Sequence, residues 1–189
     1  MINRREAIVR LALLMGGTMV GPRLLHGAWS VDPATNADGG DAGEIALLDE
    51  IGETIIPATD IPGAKAVHIG AFIAMMVREC YDAAHQAAFH AGVKTLAEVY
   101  RSRHGHAFAG APAEERTAFL NALDREQKAH TAKKGPAEPA HYFRMLKELT
   151  VLGYFSSEIG ATQALRFVEV PGSYAGNVPY KQGDRAWFS

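Results

Sequence analysis

The chain has 189 residues, 48% of them hydrophobic and 21% charged, with 19 Lys/Arg against 21 Asp/Glu and a formal net charge of −2. This is ordinary composition for one globular domain. Residues 1–40 hold Arg4, Arg5, Arg10 and Arg23 against Glu6, Asp32 and Asp38, which leaves the body at net −3 without a Lys/Arg block and excludes the basic footprint of a nucleic-acid binder.

Cys80 is the single cysteine, so an intrachain disulfide, a CxxC zinc site and a haem-attachment motif are all excluded. In the helical setting VRECYDAA it is expected as a buried small hydrophobe.

The chain opens MINRREAIVRLALLMGGTMVG. Arg4 and Arg5 precede an apolar stretch from Leu11 to Gly21, well short of the roughly 20 residues that span a bilayer as a helix. A basic start, a short apolar run and small residues describe an export signal, and the paired arginines select its twin-arginine class. Ala7 stands where that motif usually has a bulky aromatic, and only Gly27-Ala28 offers a small-residue cleavage site. The competing reading is an amphipathic helix that happens to begin with two arginines. The low-complexity SVDPATNADGGDAG that follows favours export, as a flexible spacer before the fold. The expected segments are 1–28 for the signal, 29–42 for the spacer, 43–170 for a helical domain and 171–189 for an extended tail.

In GEIALLDEIGETIIP, Leu47, Leu48, Ile51 and Ile55 recur at helical steps, while Asp49, Glu50 and Glu53 read as a solvated face. Pro57 ends this helix, and Asp60 is expected to cap the next, with Pro62 near its first turn. AKAVHIGAFIAMMVRECYDAA places Phe72, Ile73, Met76 and Cys80 on one stripe. A third helix follows a bend, with Phe89, Val93, Leu96 and Tyr100 inward and Gly105 as its stop. Pro112 opens a fourth, with Glu114 and Glu115 at the positive end of its dipole, Lys128 near its far end, and Phe119, Leu120 and Leu123 buried. AHYFRMLKELTVLGYF aligns Phe143, Leu146, Leu149 and Gly153, and a shorter helix starts at Ser156 or Ser157. RFVEV is the one strand candidate. The expected fold class is therefore all-α: a compact single-domain multi-helix fold with an irregular tail.

That tail, PGSYAGNVPYKQGDRAWFS, breaks helix with Gly and Pro, yet carries Tyr174, Tyr180, Trp187 and Phe188. Such rings are costly to leave in water. Packing on the chain's own core and packing on a partner remain equally open, so the four are a candidate partner interface.

Chemistry is harder to find. His85 and His90 are five apart, roughly 140° around a helix, and do not share a ligand as an i,i+4 pair does. His104 and His106 flank Gly105 with no fixed third ligand, and His68, His130 and His141 stand isolated. GGDAG is not a dinucleotide fingerprint, no GK[ST] phosphate loop occurs, and Ser173 follows Pro171 where a nucleophile elbow has glycine. The catalytic, cofactor-binding and metal-ligating residues expected in this chain are none.

Two stretches carry a resemblance. LLDEIGETIIPATDIPGAKAVHIGAFI is similar to the first block of the gluconate 2-dehydrogenase subunit 3 family, in which a helix ends in I-I-P-A and P-G-A opens the next. HYFRMLKELTVLGYFSSEIGATQAL with VPGSYAG resembles its second block. The resemblance implies a small non-catalytic subunit of a periplasmic or membrane-bound dehydrogenase acting on sugars, glycosides or polyols. Its large partner would be a flavin enzyme of the glucose–methanol–choline type carrying FAD, with a cytochrome c as a further possible companion. It further implies that Arg4 and Arg5 engage the twin-arginine translocon, so that the large subunit leaves the cell as a passenger and matures with help. The alternative is a stand-alone helical periplasmic protein with a metal or ligand site built on His85, His90, His104 and His106. A third is a periplasmic or membrane-surface binding module unrelated to any dehydrogenase.

Overall fold

The computed structural model describes residues 42–136, 138–170, 172–173 and 176–188. The expected signal segment with Arg4 and Arg5, the spacer up to residue 41, and Tyr174 lie outside the described residues. In chain order come α1 (Ala42–Ile55), a 3-10 turn (Ala64–Val67), α2 (Ile69–Cys80), α3 (Ala83–His104), α4 (Ala113–Lys133), α5 (Tyr142–Ser156), a π-helical turn (Gly160–Ala164), β1 (Arg166–Phe167) and β2 (Trp187–Phe188). The fold is all-α apart from the β1–β2 pair, which is parallel with Arg166 opposite Trp187 and Phe167 opposite Phe188. No helix among the described residues is long and apolar enough to cross a membrane.

α5 is the central element. Phe143, Met145, Leu146, Leu149, Thr150, Gly153 and Tyr154 are all buried, more than one stripe can supply, because α1, α2, α3 and α4 all pack against it. Thr150 pairs its hydroxyl with the Leu146 carbonyl at 2.8 Å, so its burial leaves no orphan. The core beneath is formed by Leu48 and Ile51 of α1, Ile69, Ile73 and Val77 of α2, Phe89, Val93, Leu96 and Tyr100 of α3, and Phe119 and Leu120 of α4. Each such side chain contributes about 1.5–3 kcal/mol by leaving water. Gly153 sets the approach of α5 to α2, since a Cβ there would lie 2.5 Å from Phe72 Cδ1 and 2.6 Å from Ile69 Cδ1.

Several local expectations hold. α3 buries the four residues its periodicity named and ends at Gly105, whose φ of 77° is left-handed and whose N–H reaches the Arg101 carbonyl at 2.9 Å. RFVEV does supply β1.

Others are corrected. The expected second helix is broken at His68, which takes φ 53°, ψ 48° and separates the 3-10 turn from α2. Asp60 caps nothing downstream: it accepts from Thr59 Oγ1, while the N-cap of the 3-10 turn is Gly63, which offers no side-chain cap. Cys80 is exposed at the last residue of α2 rather than buried, because the chain turns outward at Tyr81 and Asp82 to cap α3. The shorter helix expected from Ser156 or Ser157 does follow Ser157, whose Oγ accepts from Gly160 N at 3.1 Å, but its stretch Gly160–Ala164 is π-helical rather than α.

Candidate functional site

The acidic face of α1 is half-buried and partnered rather than simply solvated. Asp49 accepts from the backbone N–H of Gly70 at 2.7 Å and so caps α2 from outside it. Burial holds the Asp49 carboxyl above its ordinary range, with this hydrogen bond acting the other way. Glu53 holds both sides of the following loop, accepting from Ala58 N and from Lys65 N at 2.9 Å each. Glu50 pairs with Lys65 and, at 2.7 Å, with Arg116 of α4. The hydrogen bond from Lys65 comes first among the causes that hold Glu50 below the ordinary carboxylate value. Three acids that look like a wetted surface in sequence therefore tie α1 to the loop, to α2 and to α4.

The loop is also gripped from the far end of the chain. Tyr154 donates its phenol hydrogen to the Pro62 carbonyl at 2.8 Å. Gly63 must be small, since a Cβ there would lie 2.5 Å from Ala58 N and from both Glu53 carboxylate oxygens. Gly70 lets α1 and α2 close, with a hypothetical Cβ only 2.3 Å from the Ile45 carbonyl oxygen. The Tyr154–Pro62 bond thus joins the two blocks named above, while Asp49, Glu50 and Glu53 are each held in hydrogen bonds or ion pairs.

The histidines separate into distinct neighbourhoods. His85 pairs with Asp82 and His90 with Glu44, each at 2.8 Å, so these two share no ligand. His104 and His106 converge on the Glu115 carboxylate at 3.0 and 3.4 Å, where Tyr100 also donates its hydroxyl hydrogen. Burial, then the hydrogen bond to Glu115, pushes the Tyr100 phenol up to about 12, so it stays a donor. This cluster clasps the end of α3 to the first turn of α4, a partner the sequence did not suggest. His130 and His141 are not isolated: their rings lie 5.4 Å apart. Among the described residues, no group of three His, Cys, Asp or Glu is placed to hold a metal ion.

The tail returns to the domain by its backbone. Arg166 N donates to the Ala186 carbonyl at 2.8 Å and Val168 N to that of Phe188 at 3.0 Å. Its side chains do not follow into the core. Tyr180 is 76% and Trp187 57% exposed, Phe188 is half-buried against Phe167 at 6.1 Å, and Arg166 lies over the Trp187 ring at 4.6 Å. The large exposed hydrophobics of the described residues, Val151, Leu152, Phe167, Val170, Val178, Tyr180 and Trp187, all follow residue 150. Val151 and Leu152 on α5 and Phe167 on β1 were not anticipated, because their helical and strand periods alone do not say which face stays uncovered.

Comparison with known proteins adds one match. The family model described as gluconate 2-dehydrogenase subunit 3 matches residues 42–172, from the first residue of α1 to the turn after β1. No curated protein and no solved structure matches the chain.

Proposed function

The chain belongs to the gluconate 2-dehydrogenase subunit 3 family, and from that premise we propose that it is the non-catalytic small subunit of a dehydrogenase complex, escorting a large FAD-bearing subunit out of the cell and holding it in active form. The family match over residues 42–172 is the observation that carries this reading. Two features support it. The polar residues of the matched stretch, Asp49, Glu50, Glu53 and Tyr154, serve to lock the fold. The large exposed hydrophobics of the described residues all follow residue 150, which makes the last part of the chain the candidate region for a subunit contact.

In this reading Arg4 and Arg5 address the folded assembly to the twin-arginine translocon, and the complex works in the periplasm or at the membrane. The large subunit oxidises a CH–OH group of a sugar, glycoside or polyol on its FAD and passes electrons onward, with a cytochrome c as a candidate acceptor. This chain itself holds no cofactor. Tyr180, Trp187 and Phe188 of the tail, with Tyr174, form the candidate contact with the large chain.

Purifying the tagged chain from the periplasmic and membrane fractions of its own cell tests the proposal. A stoichiometric large flavoprotein with sugar or polyol dehydrogenase activity is expected. Substrate turnover or a bound redox group in the lone chain would contradict it.

A further inference from the structure

His141 is placed as an acceptor. It precedes α5 as its N-cap, and its Nδ1 accepts from the backbone N–H of Phe143 at 3.2 Å. That requires an unprotonated Nδ1, so the ring proton sits on Nε2, which faces Glu126 Oε1 at 3.9 Å. The side chain is only 10% exposed and lies under Tyr142, stacked at 4.7 Å. Tyr142 in turn fills the space over Gly92 of α3, where a Cβ would be 2.1 Å from its ring.

The groups around this imidazole are few. From α4 come Glu126 and His130, and the His130 Nδ1 is buried without a hydrogen-bond partner among the described residues. From α5 comes Tyr142, whose phenol burial pushes up to about 12, so it is neutral.

We propose that His141, with His130 beside it, is an acid-sensitive latch at the α4–α5 junction: the central helix keeps its N-terminal cap only while the His141 ring is neutral. A proton on Nδ1 would set two donors, the ring N–H and the Phe143 N–H, against each other, and would bring a charge beside a second histidine in a water-poor pocket. Only Glu126, itself mostly exposed, offsets that charge. Burial holds the His141 imidazole below its ordinary value, in agreement with this geometry.

The sign follows. The folded state binds the proton less readily than the unfolded chain, so the latch is fully closed above the ordinary histidine value of about 6.5 and opens as the pH falls from there. Each unit of depression makes the folded-to-unfolded ratio tenfold smaller at the acid end. The inference does not depend on the proposed escort role.

Nuclear magnetic resonance on the full chain tests it, following the His141 ring and the Phe143 amide between pH 7.5 and 5. Both should move with one midpoint below 6.5. A second arm compares urea unfolding of wild type and His141→Asn, which keeps a capping oxygen but does not titrate. The variant should lose less stability on acidification than the wild type, and His130→Gln should also soften the loss. A Phe143 amide that stays still while His141 titrates would overturn the latch. So would a His141→Asn variant that loses as much stability with acid as wild type. If that variant does not fold, the wild-type titration decides alone.

Discussion

The phenol of Tyr154 donates to the carbonyl of Pro62 at 2.8 Å, across 92 positions of sequence. Next to it, Gly153 admits Ile69 and Phe72 of α2 to within van der Waals contact of α5. The loop between α1 and α2 is therefore clamped from both sides, by Glu53 before it and by Tyr154 from near the chain's other end. Removing the phenol hydroxyl with Tyr154→Phe should cost about 1–2 kcal/mol, since a half-buried carbonyl loses its donor while the ring packing stays. Urea unfolding of the full chain measures this.

The glycines at the helix crossings should be less forgiving. Gly153→Ala puts a methyl 2.5 Å from Phe72 Cδ1, and Gly70→Ala puts one 2.3 Å from the Ile45 carbonyl oxygen. Overpacking of this kind costs about 1–3 kcal/mol. Gly70→Ala should be the worse, because backbone cannot rotate away as the Phe72 ring can. Gly105→Ala tests a different cause, the left-handed φ of 77° in open space, and should cost about 1 kcal/mol.

Asp124 supplies a pH signature. It lies between Lys128, at 2.7 Å, and Lys147, and the bonds to these two, Lys128 first, hold its carboxyl down to about 2 from an ordinary 3.8. The folded value is the lower one, so the contribution is complete above about pH 4 and disappears as the pH falls towards 2. Lys128 is exposed and Lys147 half-buried, and solvent screening keeps the contribution to about 1 kcal/mol or less. Asp124→Asn should therefore be less stable than wild type at pH 7 in low salt, with the two converging near pH 2.

The tail separates binding from folding. Trp187 is 57% exposed and lies under the Arg166 guanidinium, a contact that at an exposed site is worth about 0.5–1 kcal/mol. Trp187→Ala should thus leave the unfolding midpoint of the chain nearly unchanged while weakening the complex with the large subunit about tenfold or more. Isothermal titration with the purified large subunit reads the second effect. Equal affinity of Trp187→Ala and wild type would remove the tail from the interface.

Periodicity carried the reading furthest where a helix buries one stripe. Phe89, Val93, Leu96 and Tyr100 are inward in α3 as their steps require, and Gly105 stops it for a reason local to the backbone. It failed where a residue's partner is distant in sequence. Glu50 meets Arg116 66 positions away and Asp49 meets Gly70 21 away, so a local pattern could show only three acids on one helical face. The Asp82 cap went unread although its signal is local: an Asp directly before the helix, accepting from His85 N at 2.9 Å. His141 could not be found this way, since its role depends on α4 lying beneath it. The exposed rings of the tail were legible as rings, while their position outside the core was not, because it depends on β1 and β2 pairing through the backbone.

The escort role has its most direct test in export. The full chain and its large flavoprotein are co-expressed, with wild-type Arg4 and Arg5 or with the double change Arg4→Lys, Arg5→Lys, and sugar or polyol dehydrogenase activity is measured in periplasmic and cytoplasmic fractions. The account predicts activity outside the cytoplasm with the arginines and its loss from that fraction with the lysines. Undiminished periplasmic activity in the double variant would contradict it.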